Sequence, residues 1–174
     1  MADRHGLGVV TELLDPRHAS EVGAVAEVVQ LGSHSMSNRA LHEAAASTGR
    51  PVLLKRGPAA SVQQWLLAAE SVLQSGAPAV ILCERGIQSF ERATRYTLDL
   101  AGVAWLLAHQ PLPVVVDPSH AAGRHELVLP LARAALAAGA HGLLVEVHPE
   151  RGRARCDGPQ ALDPEDLAGL AALY

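Results

Sequence analysis

Aromatic side chains are scarce: Phe, Trp and Tyr together make up 3% of the 174 residues, against 49% hydrophobic residues in all. A core with so few rings must be filled by Ala, Leu and Val in close-packed layers, the composition of parallel α/β proteins whose strands are covered on both faces. Cysteine is nearly missing as well. Cys83 and Cys156 are the only two, which excludes a disulfide framework. No basic, apolar, small-residue stretch opens the chain as a secretory signal would, so a reducing cytoplasmic setting is expected. No apolar run approaches the ~20 residues that a membrane span needs. An excess of positive charge is also lacking. The net charge is −4 and the isoelectric point about 6.1, so nothing attracts nucleic acid or an anionic membrane over the whole chain. Local basic residues remain available for a small anion. With no low-complexity tail or linker, the length fits one core, and a single domain over 1–174 is expected.

What is present is organised around residues 113–124, PVVVDPSHAAGR. The run Val114–Val116 reads as a strand buried on both faces, because a one-sided strand would alternate apolar with polar. It ends in Asp117, Pro118, Ser119 and His120. Gly123 loosens the turn, and an Ala- and Leu-rich helix is expected over 126–138, giving the strand, polar loop and helix of half a parallel crossover. The next expected strand, 142–147 (GLLVEV), carries Glu146 near its end, with His148 and Asp157 beyond. His120, Glu146 and Asp157 could converge at one edge.

The same form recurs along the chain. Strands are expected at 7–11 (LGVVT, ending at Glu12), 27–31 (EVVQL, ending in Gly32, Ser33, His34 and Ser35), 52–54 (ending in Lys55-Arg56-Gly57) and 79–82 (ending in Cys83-Glu84-Arg85-Gly86). Helices are expected to follow each of them: one reaching Ala26, one with Leu41, Ala44 and Ala45 on a face, one over 62–73 containing Trp65, and a long one over 91–108 containing Trp105. A last helix starts near Pro164, which suits a first helical turn. The recurrence is that of βα units.

Charge falls in one kind of place. Glu12, His34, Lys55, Glu84, Arg85, Asp117, His120 and Glu146 all lie at or just past the C-terminal ends of apolar strands, the edge at which parallel α/β folds bind ligands. Any strand must end in a polar loop, so it is the repetition over six ends that signals a site. His120, Glu146 and Asp157 are ligand types for a divalent cation, although such a triple also arises by chance. Lys55, Arg56 and Arg85 would hold a phosphate or carboxylate, or else pair with Glu84 at the surface. Cys83 reads as a small packed hydrophobe and Trp65 and Trp105 as core.

Several stretches carry a resemblance: GLGVVTE (6–12), PVLLKRG (51–57), VILCERG (80–86), RATRYTLDL (92–100), VVVDPSHAAGR (114–124) and GLLVEVHPE (142–150). In this order they resemble the 3-deoxy-arabino-heptulosonate 7-phosphate synthase family, in the compact branch similar to 3-deoxy-manno-octulosonate 8-phosphate synthase. The resemblance implies a (β/α)₈ barrel that condenses phosphoenolpyruvate with erythrose 4-phosphate on a divalent metal, Mn, Fe, Zn or Co, within aromatic amino acid biosynthesis by the shikimate pathway. It implies His120, Glu146 and Asp157 as metal ligands. Glu12, Lys55, Arg85 and His34 are the implied substrate contacts, and His120, Glu146 and Lys55 the implied catalytic groups.

The departures qualify this. The six strands resemble the third to eighth of the family's barrel, so an incomplete TIM-type barrel is expected. The GPC-type strand with its metal-binding Cys and the KPRTS-type loop with its catalytic Lys have no counterpart, and Cys83 and Cys156 lie in other motifs. Where the family has an Arg in Gly-Ala-Arg-Asn, this chain has His34, and a neutral imidazole is a weaker phosphate clamp than a guanidinium. Three readings follow: the family's aldolase-type chemistry, a repurposed enzyme on the same half-site, or a non-catalytic chain that binds a ligand or partner. Exposed strand edges lead to the expectation of a homo-oligomer, with a dimer as the simplest closed form, in which a neighbouring chain covers the gap.

Overall fold

The computed structural model describes residues 2–172. Among them, six strands follow one another in sequence order in a single sheet, and contacts group the chain into two compact units, 1–83 and 84–174. The boundary falls inside the fourth strand.

In the first unit, β1 (Val10–Glu12), β2 (Val28–Leu31), β3 (Val52–Lys55) and β4 (Val80–Glu84) pair parallel, with Val10 opposite Val28, Leu53 opposite Ile81 and Lys55 opposite Cys83. Parallel neighbours need crossovers, and α1 (Ala19–Val25), α2 (Arg39–Ser47) and α3 (Val62–Gln74) supply them. Their starts are written in the sequence. Asn38 accepts the Leu41 N–H to open α2. Ser61 and Gln64 form a reciprocal capping box that opens α3. All four β3 residues are buried, as expected for a strand covered on both faces. Trp65 of α3 is fully buried, and its indole N–H donates to the Leu54 carbonyl at 3.1 Å.

In the second unit, β5 (Val114–Val116) and β6 (Gly142–Leu143) pair parallel. The helices are α4 (Leu100–His109), α5 (Pro118–Ala122), α6 (His125–Ala137) and α7 (Pro164–Ala171). An aliphatic cluster of Ala122, Val128, Ala132, Leu162 and Leu170 joins α5, α6 and α7. Asp163 caps α7 by accepting the Glu165 and Asp166 N–H groups, with Pro164 in the first turn as the sequence indicates.

Five expectations need correction. The long helix over 91–108 is absent from its first half. Ile87 and Thr97 instead exchange antiparallel backbone hydrogen bonds of 2.8 and 2.9 Å, and the Arg95 and Tyr96 N–H groups donate to the Ala122 and Ala121 carbonyls. Those carbonyls belong to the last turn of α5, where intrahelical partners run out. Thr94, Tyr96 and Thr97 are poor helix formers, and Asp99 starts the helix at Leu100 by accepting the Gly102 N–H at 2.8 Å. At the loop's outset the Ala93 and Arg92 N–H groups both reach the Glu91 carboxylate and hold it below the usual carboxylate range.

The sixth strand stops at Leu143, not at 147: Leu144 N–H still reaches the Val116 carbonyl of β5 at 2.8 Å, but later backbone groups are paired elsewhere. Glu146 N–H goes to the Ser119 hydroxyl at 3.1 Å, and 146–148 pair with Leu162. The polar loop after β5 is itself the short helix α5, closed by Gly123 in the left-handed conformation, φ +67°. Trp105 is not core: it is 48% exposed and stacks on His109 with centroids 4.5 Å apart. α4 is apolar nearly all round, so spacing alone could not tell its buried side, which carries Val103 and Leu106. The first strand is also displaced, starting at Val10 with Leu7 exposed.

Candidate functional site

The second unit builds its site outward from Asp117. The last residue before α5, it is fully buried, and its N–H donates to the Glu84 carbonyl at 2.7 Å, pinning the end of β5 to the end of β4. One carboxylate oxygen accepts the His120 N–H at 3.0 Å and caps the helix. The other lies 2.8 Å from His120 Nδ1. An ionised carboxylate only accepts, so Nδ1 carries a proton, and in the neutral imidazole the Nε2 lone pair points outward.

That lone pair faces two further carboxylates. Nε2 lies 3.7 Å from Glu146 Oε1 and 3.8 Å from Asp157 Oδ2, and one ligand atom from each of the three residues lies within 4.8 Å of the other two. Glu146 is placed by the hydrogen bond from its N–H to the fully buried Ser119 hydroxyl. Asp157 is the one described non-glycine residue with positive φ, at +56°. Such a conformation is costly away from Gly. Its carboxylate is steadied by Gln160 Nε2, donating at 2.9 Å, and by Arg95 Nη1 at 3.8 Å. An imidazole nitrogen oriented by a carboxylate behind it, beside two carboxylate oxygens, is the donor chemistry of Zn²⁺, Mn²⁺ or Fe²⁺ sites. The group fits a divalent ion, which would also relieve the repulsion between the two acids.

The same unit holds a buried cation. Arg85, just past β4, is 5% exposed, its Nη1 has no hydrogen-bond partner, and its guanidinium lies over the Tyr96 ring at 4.4 Å from the centroid. Gly86 makes this turn possible. Its φ is +96°, its N–H donates to Glu84 Oε1 at 2.7 Å, and a Cβ there would lie 2.6 Å from that of Tyr96. A buried donor without a partner costs free energy unless a ligand supplies one.

The first unit holds the other sequence-derived residues. Lys55 ends β3 at 7% exposure, and Arg56 beside it donates from Nε to the Ala60 carbonyl and lies over Trp65. Glu12 is exposed at the end of β1, packed over Gly32, where a side chain would collide with its carboxylate. His34 is exposed on a short 3-10 turn, Ser33–Ser35. Cys83 is buried inside β4, and Cys156, next to Asp157, is exposed and outside the three-donor group. Sequence reading gave no role to Ser119, Arg95, Tyr96 or Gln160, or to Asp117 as the partner of His120. For Asp117 a signal existed: Asp-Pro-x-His is a helix start that places acid and imidazole three residues apart.

Comparison with known proteins settles the family. A family model described as DAHP synthetase I matches residues 1–174. The chain belongs to the DAHP synthetase I family. It is 48% identical over 164 residues to a phospho-2-dehydro-3-deoxyheptonate aldolase of Thermotoga maritima, covering 94% of this chain and 48% of that protein. It is 34% identical over 182 residues to a 2-dehydro-3-deoxyphosphooctonate aldolase of Chromobacterium violaceum, covering 98% of this chain and 64% of the relative. Among solved structures, a truncated form of 3-deoxy-D-arabino-heptulosonate 7-phosphate synthase from Thermotoga maritima matches with a TM-score of 0.96 at 46% identity, over 99% of this chain and 66% of that one. The chain thus spans about half to two thirds of the length of these relatives. Its fold class is the incomplete α/β barrel of parallel strands that the resemblance implied. Among the described residues no helix is long and apolar enough to cross a membrane.

Proposed function

We propose that this chain carries out the aldolase-type condensation of its family, joining phosphoenolpyruvate to an aldose phosphate with the help of a divalent metal ion, in the cytoplasm and as one domain over 1–174. The observation that carries the reading is the convergence of His120 Nε2, Glu146 and Asp157 within 4.8 Å, with Asp117 fixing the imidazole from behind. These three residues would hold the ion, which when bound supplies Lewis-acid polarisation of a carbonyl oxygen. Arg85 binds the anionic end of the enol substrate through its unpartnered Nη1, and its burial strengthens that interaction by keeping water out. Lys55, Glu12 and His34 are assigned to substrate contact, and Lys55, His120 and Glu146 to the catalytic set.

Substitution of Arg85 or Lys55 by Ala is expected to weaken phosphoenolpyruvate binding by about 1.5 to 3 kcal/mol, the scale of a charge-assisted hydrogen bond. Titration calorimetry on the metal-loaded protein measures it, and unchanged affinity in both variants rejects the anion assignment. A second reading, a chain that binds these ligands without turnover, is favoured by the exposed His34 and by a donor cluster whose three members, His120, Glu146 and Asp157, include no cysteine. Metal and phosphoenolpyruvate binding without product from phosphoenolpyruvate and erythrose 4-phosphate would select it.

The proposal includes self-association. Leu7, Val10 and Leu14, on and beside β1 at one end of the sheet order, are 65%, 48% and 74% exposed. An apolar sheet edge recruits a partner, here a second copy. Light scattering at micromolar concentration should give at least twice the monomer mass of 18.2 kDa, and a stable monomer would refute it.

A further inference from the structure

The guanidinium of Arg85 has one feature that neither its burial nor its charge accounts for: it is held over a ring, not by an acid. Its central carbon lies 4.4 Å from the centroid of Tyr96. Arg95, whose Nη1 is 3.8 Å from Asp157, also lies over that ring, at 5.7 Å. Tyr96 is itself fixed by its backbone, since its N–H donates to the Ala121 carbonyl at 2.9 Å and the next residue is bridged to Ile87. Gly86 leaves the room its side chain needs. The arrangement has a chemical logic. A carboxylate partner would neutralise Arg85 and occupy its donors, whereas a π face attracts the cation, restricts its rotamers and leaves Nη1 free for an incoming anion.

We propose that Tyr96 is a positioning residue that presets Arg85 for an anionic carboxylate or phosphate and, through Arg95, ties that anion-binding arm to the metal-holding Asp157. The proposal rests on the reading of Arg85 as the anion contact. The aromatic face is the part of Tyr96 that carries this role, since both guanidinium contacts are made with the ring.

The test has an arm that needs no ligand. In the parent protein the Arg85 Nε–H resonance, assigned by its disappearance in Arg85→Lys, should be shifted upfield by the Tyr96 ring current. The shift should persist in Tyr96→Phe and vanish in Tyr96→Leu. A resonance at its ordinary position in the parent overturns the proposal even where a variant fails to fold, as does a shift retained in Tyr96→Leu or lost in Tyr96→Phe. In the second arm, phosphoenolpyruvate affinity of the metal-loaded protein should fall about tenfold in Tyr96→Leu and stay within about twofold in Tyr96→Phe. Mn²⁺ affinity measured without phosphoenolpyruvate should fall in Tyr96→Leu only by as much as it does in Arg95→Gln. If Arg85→Ala binds phosphoenolpyruvate as the parent does, the functional reading of Arg85 fails. If Arg85→Ala loses affinity and Tyr96→Leu does not, the role of Tyr96 alone is overturned.

Discussion

His120→Ala is expected to lower the affinity for a divalent metal by more than about a hundredfold, because it removes the one nitrogen donor of the group. Loss of a residue that merely orients a ligand already costs about 10- to 100-fold, and loss of the ligand itself should exceed that. Asp117→Asn supplies the internal comparison. The amide can still accept the His120 N–H and cap α5 but holds the imidazole less firmly, so its cost should fall within the 10- to 100-fold range. Cys156→Ser, next to Asp157 but outside the donor group, should change nothing. Competition against a chelating dye measures all three. A His120→Ala protein that keeps its metal, or a Cys156→Ser protein that loses it, would refute the three-residue assignment.

The sequence made this three-donor cluster legible because His120 and Glu146 sit where the backbone pattern breaks. Val114–Val116 can only be a covered strand, so Asp117 and His120 had to lie at its end, and the next apolar run put Glu146 in the corresponding place. Asp157 was harder: no strand precedes it, and the sequence placed it only as an acid beyond Glu146, to which the family motif added support. Its position depends on a left-handed backbone and on a contact from Gln160 that has no sequence period. Tyr96 and Arg95 were hidden for another reason. Their stretch carries apolar residues at spacings compatible with a helix, and what prevents the helix is the demand of two carbonyls at the end of α5, those of Ala122 for Arg95 and of Ala121 for Tyr96. Hydrogen bonds between segments so far apart leave no local trace.

Arg85 and Arg56, each just past the end of a strand in its own unit, both lie over an aromatic ring, and sequence showed only that they are basic. Arg85 leans on a ring from a loop, Arg56 on a ring from the core. A π face attracts the guanidinium without occupying its N–H donors. In a chain with so few aromatic residues, two of them are spent beside arginines at strand ends.

The core ring provides the largest expected effect on stability. Trp65 is fully buried under β3, where its indole N–H satisfies the Leu54 carbonyl and its face carries Arg56 at 5.7 Å. With scarcely any other ring in the first unit, no neighbour of similar volume can move into the space, so Trp65→Ala should cost about 3 to 5 kcal/mol. Trp65→Phe keeps most of the volume and the π face but leaves the Leu54 carbonyl without the indole donor, and should cost about 1 to 3 kcal/mol. Urea unfolding followed by far-ultraviolet circular dichroism measures both, while Trp105, partly exposed in the second unit, remains as a separate fluorescent reporter. The order of the two variants decides the account. If Trp65→Phe destabilises as much as Trp65→Ala, the hydrogen bond to Leu54 and not the filled volume holds α3 against β3. A loss below about 1 kcal/mol in Trp65→Ala would mean that the aliphatic layers close over the gap, and that Arg56 at the end of β3 does not depend on the ring beneath it.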